Sequence, residues 1–144
     1  MNYVLDASTI LKWFLKEKDT NKAIAFKESF VKGEIDLIEP DLLLYEFVNG
    51  LRYQKNITQR DIEEAVEGLF DLGLSFVTPK LSLLKMANLF ALKHDITVYD
   101  ACYIVLAKET NCQFVTADEK LFGKLAHLPL VKLLSQVEIH SLQI

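Results

Sequence analysis

At 144 residues, 51% of them apolar and 25% charged, the chain has the composition of a globular domain and enough length to bury a substantial core. Its net charge of −4 excludes a generic nucleic-acid binder with a broad basic face. Acting on a polyanion would require the acids to be gathered in one pocket with lysines around it. No apolar run is long enough to span a bilayer, which predicts no membrane association. Met1 to Asp6 offers neither a basic leader nor a small-residue cleavage site, so the expected compartment is the cytoplasm.

In chain order, Tyr3-Val4-Leu5 reads as a first buried strand, followed at once by Asp6 and a short helical start at Ala7-Ser8-Thr9. Residues 23–31 have apolar side chains at helical spacing, and Asp36-Leu37-Ile38 is the second strand. Residues 42–53 and 62–72 again show three- and four-residue spacing, with Thr58 placed to start the later helix. A third strand is predicted at Leu74-Ser75-Phe76-Val77, ended by Pro79. Ser82 then reads as the start of a helix over 83–92. Residues 98–107 are apolar almost all round, the signature of a buried helix. Gln113-Phe114-Val115-Thr116 and Leu130-Val131-Lys132-Leu133 complete the strands. Strands alternating with helices predict an α/β fold, a three-layer α/β/α sandwich with a central parallel sheet of about five strands, as a single domain over 1–144.

Ligand sites of such sheets lie outside the carboxyl ends of the strands. Asp6 follows strand one directly, and Asp118 stands two residues after strand four. Each also has a plainer reading as a helix cap, and Thr97-Val98-Tyr99-Asp100 fits a capping box. Glu46 has no such reading. It sits in mid-helix, its neighbours one turn away are Leu42, Leu43, Asn49 and Gly50, and no Lys or Arg lies within a turn. A carboxylate in that setting has a raised pKa unless it meets a cation. Four acids with no nearby His or Cys suit a hard cation, Mg2+ or Mn2+, and the chemistry of phosphodiester hydrolysis. His94, His127 and His140 lack metal spacing, and Cys102 and Cys112 read as reduced, buried thiols.

These residues resemble those of PIN-domain nucleases, in particular the toxin components of VapBC-type toxin–antitoxin pairs. The resemblance rests on Val4-Leu5-Asp6-Ala7-Ser8, Pro40 with Tyr45-Glu46 and Asn49, Tyr99-Asp100-Ala101 with Tyr103, and Val115-Thr116-Ala117-Asp118 with Leu121. It implies a divalent-metal-dependent endoribonuclease. Its metal would be held by Asp6 and Asp100, with Asp118 joining directly or through water. Glu46 would orient the attacking water or bind a second ion, and the hydroxyls of Ser8 and Thr116 would assist. It also implies a small antitoxin partner, seated in an apolar groove, and a homodimer; Trp13, Phe14, Leu15, Phe26 and Phe30 each read either as core, the reading favoured for each alone, or as anchors of such an interface. Lys12 and Lys16, with Lys18 and Lys22, are the candidate rim attracting RNA.

Three other readings compete. A PIN nuclease that processes RNA without an antitoxin has the same four acids. A haloacid-dehalogenase-type phosphatase requires a second Asp two residues after the first, where this chain has Ser8. A receiver-like acidic-pocket module requires a phospho-accepting Asp after strand three, where Val77 is followed by Thr78-Pro79.

Overall fold

The computed structural model describes residues 1–138. Five strands, β1 (Asn2–Leu5), β2 (Asp36–Pro40), β3 (Ser75–Val77), β4 (Gln113–Thr116) and β5 (Val131–Leu133), form one parallel sheet in the order β3-β2-β1-β4-β5. Every strand expected from the sequence is present, trimmed by one residue at the start of β3 and of β5. The sheet turns back on itself at β1, which has β2 on one side and β4 on the other. That reversal makes the carboxyl edge of β1 and β4 the place where an open α/β sheet holds its ligand.

The helices are α1 (Ala7–Ile10), α2 (Thr20–Val31), α3 (Leu42–Arg52), α4 (Gln59–Asp71), α5 (Leu81–His94), α6 (Val98–Glu109) and α7 (Glu119–Leu125). They complete the expected α/β/α sandwich. A 3-10 turn over Leu11–Trp13 extends α1. The apolar stretch of α6 is buried continuously from Ala101 to Ala107 and lies against β1, β2 and β4. α3 closes on the 3-10 turn at Gly50, where an added Cβ would come within 2.6 Å of Leu11 Cδ1.

One local expectation needs correction, and one open choice is decided. α5 begins at Leu81 with Lys80 as its N-cap, and no side chain caps it, so Ser82 lies inside the first turn rather than before it. Among the candidate interface anchors, Trp13 and Phe26 belong to the core. The Trp13 indole donates a 2.7 Å hydrogen bond to the Ala23 carbonyl, and Phe26 packs edge-on against Tyr3. Phe14, Leu15 and Phe30 are only partly buried against that core. His140 lies outside the described residues.

Candidate active site at the carboxyl edge of the sheet

Asp6 is the point where β1 becomes α1. Its backbone amide bonds the Val115 carbonyl of β4 at 3.2 Å, continuing the ladder one residue beyond the strand. Its carboxylate caps α1 through the Thr9 amide at 3.1 Å, as the plainer reading predicts. The cap does not exhaust it. Ser8 Oγ donates to Oδ1 at 2.6 Å, Thr9 Oγ1 donates at 3.2 Å, and Thr116 Oγ1 donates to Oδ2. Burial pushes the Asp6 carboxyl up to about 6 in spite of these donors, because desolvation of the charged form outweighs them.

The two hydroxyls named from the sequence join the strand ends. Thr116 Oγ1 also accepts from the Asp118 amide at 3.0 Å, and Ser8 Oγ accepts from the Ala117 amide at 3.1 Å. Asp118 in turn caps α7 through the Leu121 amide at 3.0 Å. A single network therefore ties the Asp6 carboxylate to the loop carrying Asp118.

The other two acids come from helices. The Thr97 hydroxyl caps α6 by accepting from the Asp100 amide at 3.0 Å, but the reciprocal bond to the Asp100 carboxylate is not made. The contrast is α4, where Thr58 and Asp61 satisfy each other fully. Burial, and then the charge of Asp118, raise the Asp100 carboxyl, with the Thr97 hydroxyl opposing. Glu46 is half-buried on α3, and its Oε1 accepts a 2.6 Å hydrogen bond from the Tyr103 hydroxyl. Burial and the charge of Asp100 raise its pKa, and the Tyr103 bond opposes them. Asp100 is thus within electrostatic reach of both Glu46 and Asp118, and the Asp118 amide is bonded through Thr116 to Asp6.

The PIN domain family model matches residues 3–128, a span that contains all four acids. The chain belongs to the PIN-domain family. It is 33% identical to ribonuclease VapC3 of Pyrobaculum aerophilum over 130 residues, covering 86% of this chain and 95% of that protein. It is 31% identical to a VapC ribonuclease of Mycobacterium bovis over 123 residues, 82% of this chain and 87% of that one. The fold is shared with a Pyrobaculum aerophilum crystal structure at TM-score 0.69 and 19% identity, over 99% of this chain and 96% of that one. It is also shared with VapBC2 of Rickettsia felis at TM-score 0.68 and 15% identity, over 92% and 97%.

Within this PIN domain the donor set fits a divalent cation. All four groups are carboxylates, three of them have raised pKa values, and among the described residues none of the four forms a salt bridge. As the side chains stand, no three acidic, histidine or cysteine groups among the described residues are gathered closely enough to hold an ion. Both Asp6 oxygens are held by hydroxyls, and Glu46 Oε1 is held by Tyr103.

Several residues escaped the sequence reading. Tyr103 is 1% exposed, and burial together with the charges of Glu46, Glu39 and Asp6 raises its pKa, so its phenol keeps the proton it donates to Glu46. Its place two residues after Ala101 on an almost all-apolar helix hid a polar role, although the resemblance already included it. Lys120 and Lys124 line a groove of about 410 Å3 that also takes in Thr97, Asp100 and Asp118. Lys124 is anchored there by bonds to the Asp95 carbonyl at 2.5 Å and its carboxylate at 3.6 Å. Of the lysines chosen as a rim, Lys18 pairs with Glu119, next to Asp118, at 3.6 Å. Lys22 is instead tied to the Ser135 carbonyl at 2.5 Å. Both cysteines are buried free thiols, as expected.

Proposed function

We propose that this PIN domain is a divalent-metal-dependent endoribonuclease and the toxin of a toxin–antitoxin pair, with Mg2+ or Mn2+ held by Asp6, Asp100 and Asp118. The carrying observation is the chain of contacts beside the sheet's topological switch that links four carboxylates, Glu46 to Asp100 and Asp100 to Asp118 by charge and the Asp118 loop to Asp6 through Thr116, three with raised pKa values and none paired with a basic side chain among the described residues. The match to ribonuclease VapC3 over 95% of that protein supports RNA as the substrate class. When bound, the cation polarises a phosphoryl oxygen and lowers the pKa of water at the site.

The chain's own residues supply the rest. Glu46, its carboxylate held by Tyr103 and its pKa raised by burial and the charge of Asp100, would take a proton from the attacking water. Ser8 and Thr116 orient Asp6. Lys120 and Lys124 offer cationic partners for backbone phosphates beside Asp100 and Asp118, with Lys12 and Lys16 extending the rim.

Two partner assignments accompany this reading, and both belong in the cytoplasm. A groove of about 470 Å3, its apolar part formed by Phe14, Leu15, Leu51, Ile57 and Ala65 and its polar part including Lys55, Asp61 and Glu64, suits an antitoxin segment with both apolar and polar side chains. The exposed Leu84, Leu89 and Leu92 of α5, with Tyr99 at the start of α6, suit a twofold dimer. Inducing the chain alone in a bacterial host is expected to arrest growth, and the Asp100→Asn variant is expected not to. Equal growth under both inductions contradicts the toxin assignment, and a purified protein that still cleaves RNA would then favour the antitoxin-free processing role.

A further inference from the structure

Glu39 is the one described residue with a buried side-chain oxygen, Oε2, that has no hydrogen-bond partner. It is fully buried on β2, and its Oε1 accepts the Leu5 amide of β1 at 2.7 Å. The backbone explains why a side chain is found there. β1 and β2 pair in parallel at Asn2↔Asp36 and Tyr3↔Leu37 and then stop. The next rung of that register would pair the Leu5 amide with the Ile38 carbonyl, and the Leu5 carbonyl with the amide of residue 40. Residue 40 is Pro40, which has no N–H to donate. Pro40 therefore cannot complete the pairing at Leu5, directly before Asp6, and it is there that Glu39 Oε1 takes the Leu5 amide.

From this geometry we infer that Glu39 is a positioning residue of the active site, a buried side-chain tie at the end of the β1–β2 ladder that holds the end of β1 and thereby sets Asp6. Burial, with the charge of Asp6 adding and the Leu5 bond opposing, raises the Glu39 carboxyl well above its ordinary value. A glutamine of the same shape can accept the same bond. An aspartate, one methylene shorter, cannot reach.

The kinetic part of this inference rests on the ribonuclease reading; the other parts do not. Glu39→Gln and Glu39→Asp would be compared with the wild-type protein in three measurements: the exchange rate of the Leu5 amide by NMR, Mn2+ affinity by calorimetry, and kcat and KM for RNA. Glu39→Gln is expected to keep Leu5 protection and to stay within about twofold of wild type in Mn2+ affinity and kcat. Glu39→Asp is expected to expose the Leu5 amide and to lose roughly 10- to 100-fold in Mn2+ affinity and kcat, with KM little changed, as loss of an outer support to a metal ligand does. An aspartate variant with faster Leu5 exchange but wild-type Mn2+ affinity would overturn the inference, leaving Glu39 a purely structural residue. So would a glutamine variant as impaired as the aspartate one, since the hydrogen-bond geometry would then not be what matters. Exchange and Mn2+ binding judge Glu39 even if the wild-type protein cleaves no RNA, an outcome that would count against the ribonuclease reading alone.

Discussion

Asp6 accepts four hydrogen bonds and still has a carboxyl pushed up to about 6, because it is almost wholly removed from water. That shift has a sign. Between the ordinary carboxylate value of 3.8 and about 6, the native metal-free protein holds a proton that the unfolded chain has lost. Its stability therefore falls as pH rises through that window, by roughly 3 kcal/mol from Asp6 at most. Denaturant titrations of metal-free protein at pH 4 and pH 7 should show the loss, and added Mn2+ should recover it at pH 7. Asp6→Asn should remove most of this pH dependence, fold at least as stably as wild type near neutrality, and abolish cleavage. Tyr103→Phe tests the neighbouring acid. Without the phenol donor the Glu46 carboxyl rises further, so the acid limb of the pH–rate profile should move to higher pH. An unmoved limb would remove Glu46 from the proton transfer.

Among the elements, the strands and the longer helices were legible because each is a short apolar run or a regular apolar stripe, signals contained within a few neighbouring residues. The Thr58–Asp61 capping box is of the same kind. Thr58→Ala should lower stability by about 1 kcal/mol and leave kcat unchanged, a thermal-melt and cleavage comparison that separates scaffold from site. The four acids could be picked out by type and by their places after strands or on apolar helix faces. Their supports could not. Glu39 meets Leu5 from 34 residues away and Tyr103 meets Glu46 from 57, and no local pattern encodes either contact. Trp13 and Phe26 were ambiguous for a related reason: an aromatic side chain reads alike in a core and at an interface until its packing partners are known.

For the whole molecule, the balance of −4 is distributed rather than uniform, with Lys120 and Lys124 set beside Asp100 and Asp118 and Lys18 paired to Glu119. Lys12→Glu with Lys16→Glu should weaken RNA binding and flatten its salt dependence while Mn2+ affinity persists. Unchanged RNA affinity would confine the rim to the groove lined by Lys120 and Lys124. Light scattering at micromolar concentration should show a dimer, and Leu89→Glu with Leu92→Glu a monomer. A wild-type monomer would remove the dimer from the account.

The central claim is that the four carboxylates form an all-oxygen metal site that cleaves RNA, and one measurement addresses it most directly: cleavage of a mixed RNA by the purified protein in EDTA and after Mn2+ is restored, run alongside Asp100→Asn. The account predicts no cleavage in EDTA, cleavage with Mn2+, and none by the Asp100→Asn variant under either condition. Cleavage that persists in EDTA, or an Asp100→Asn variant as active as wild type with Mn2+, would contradict it.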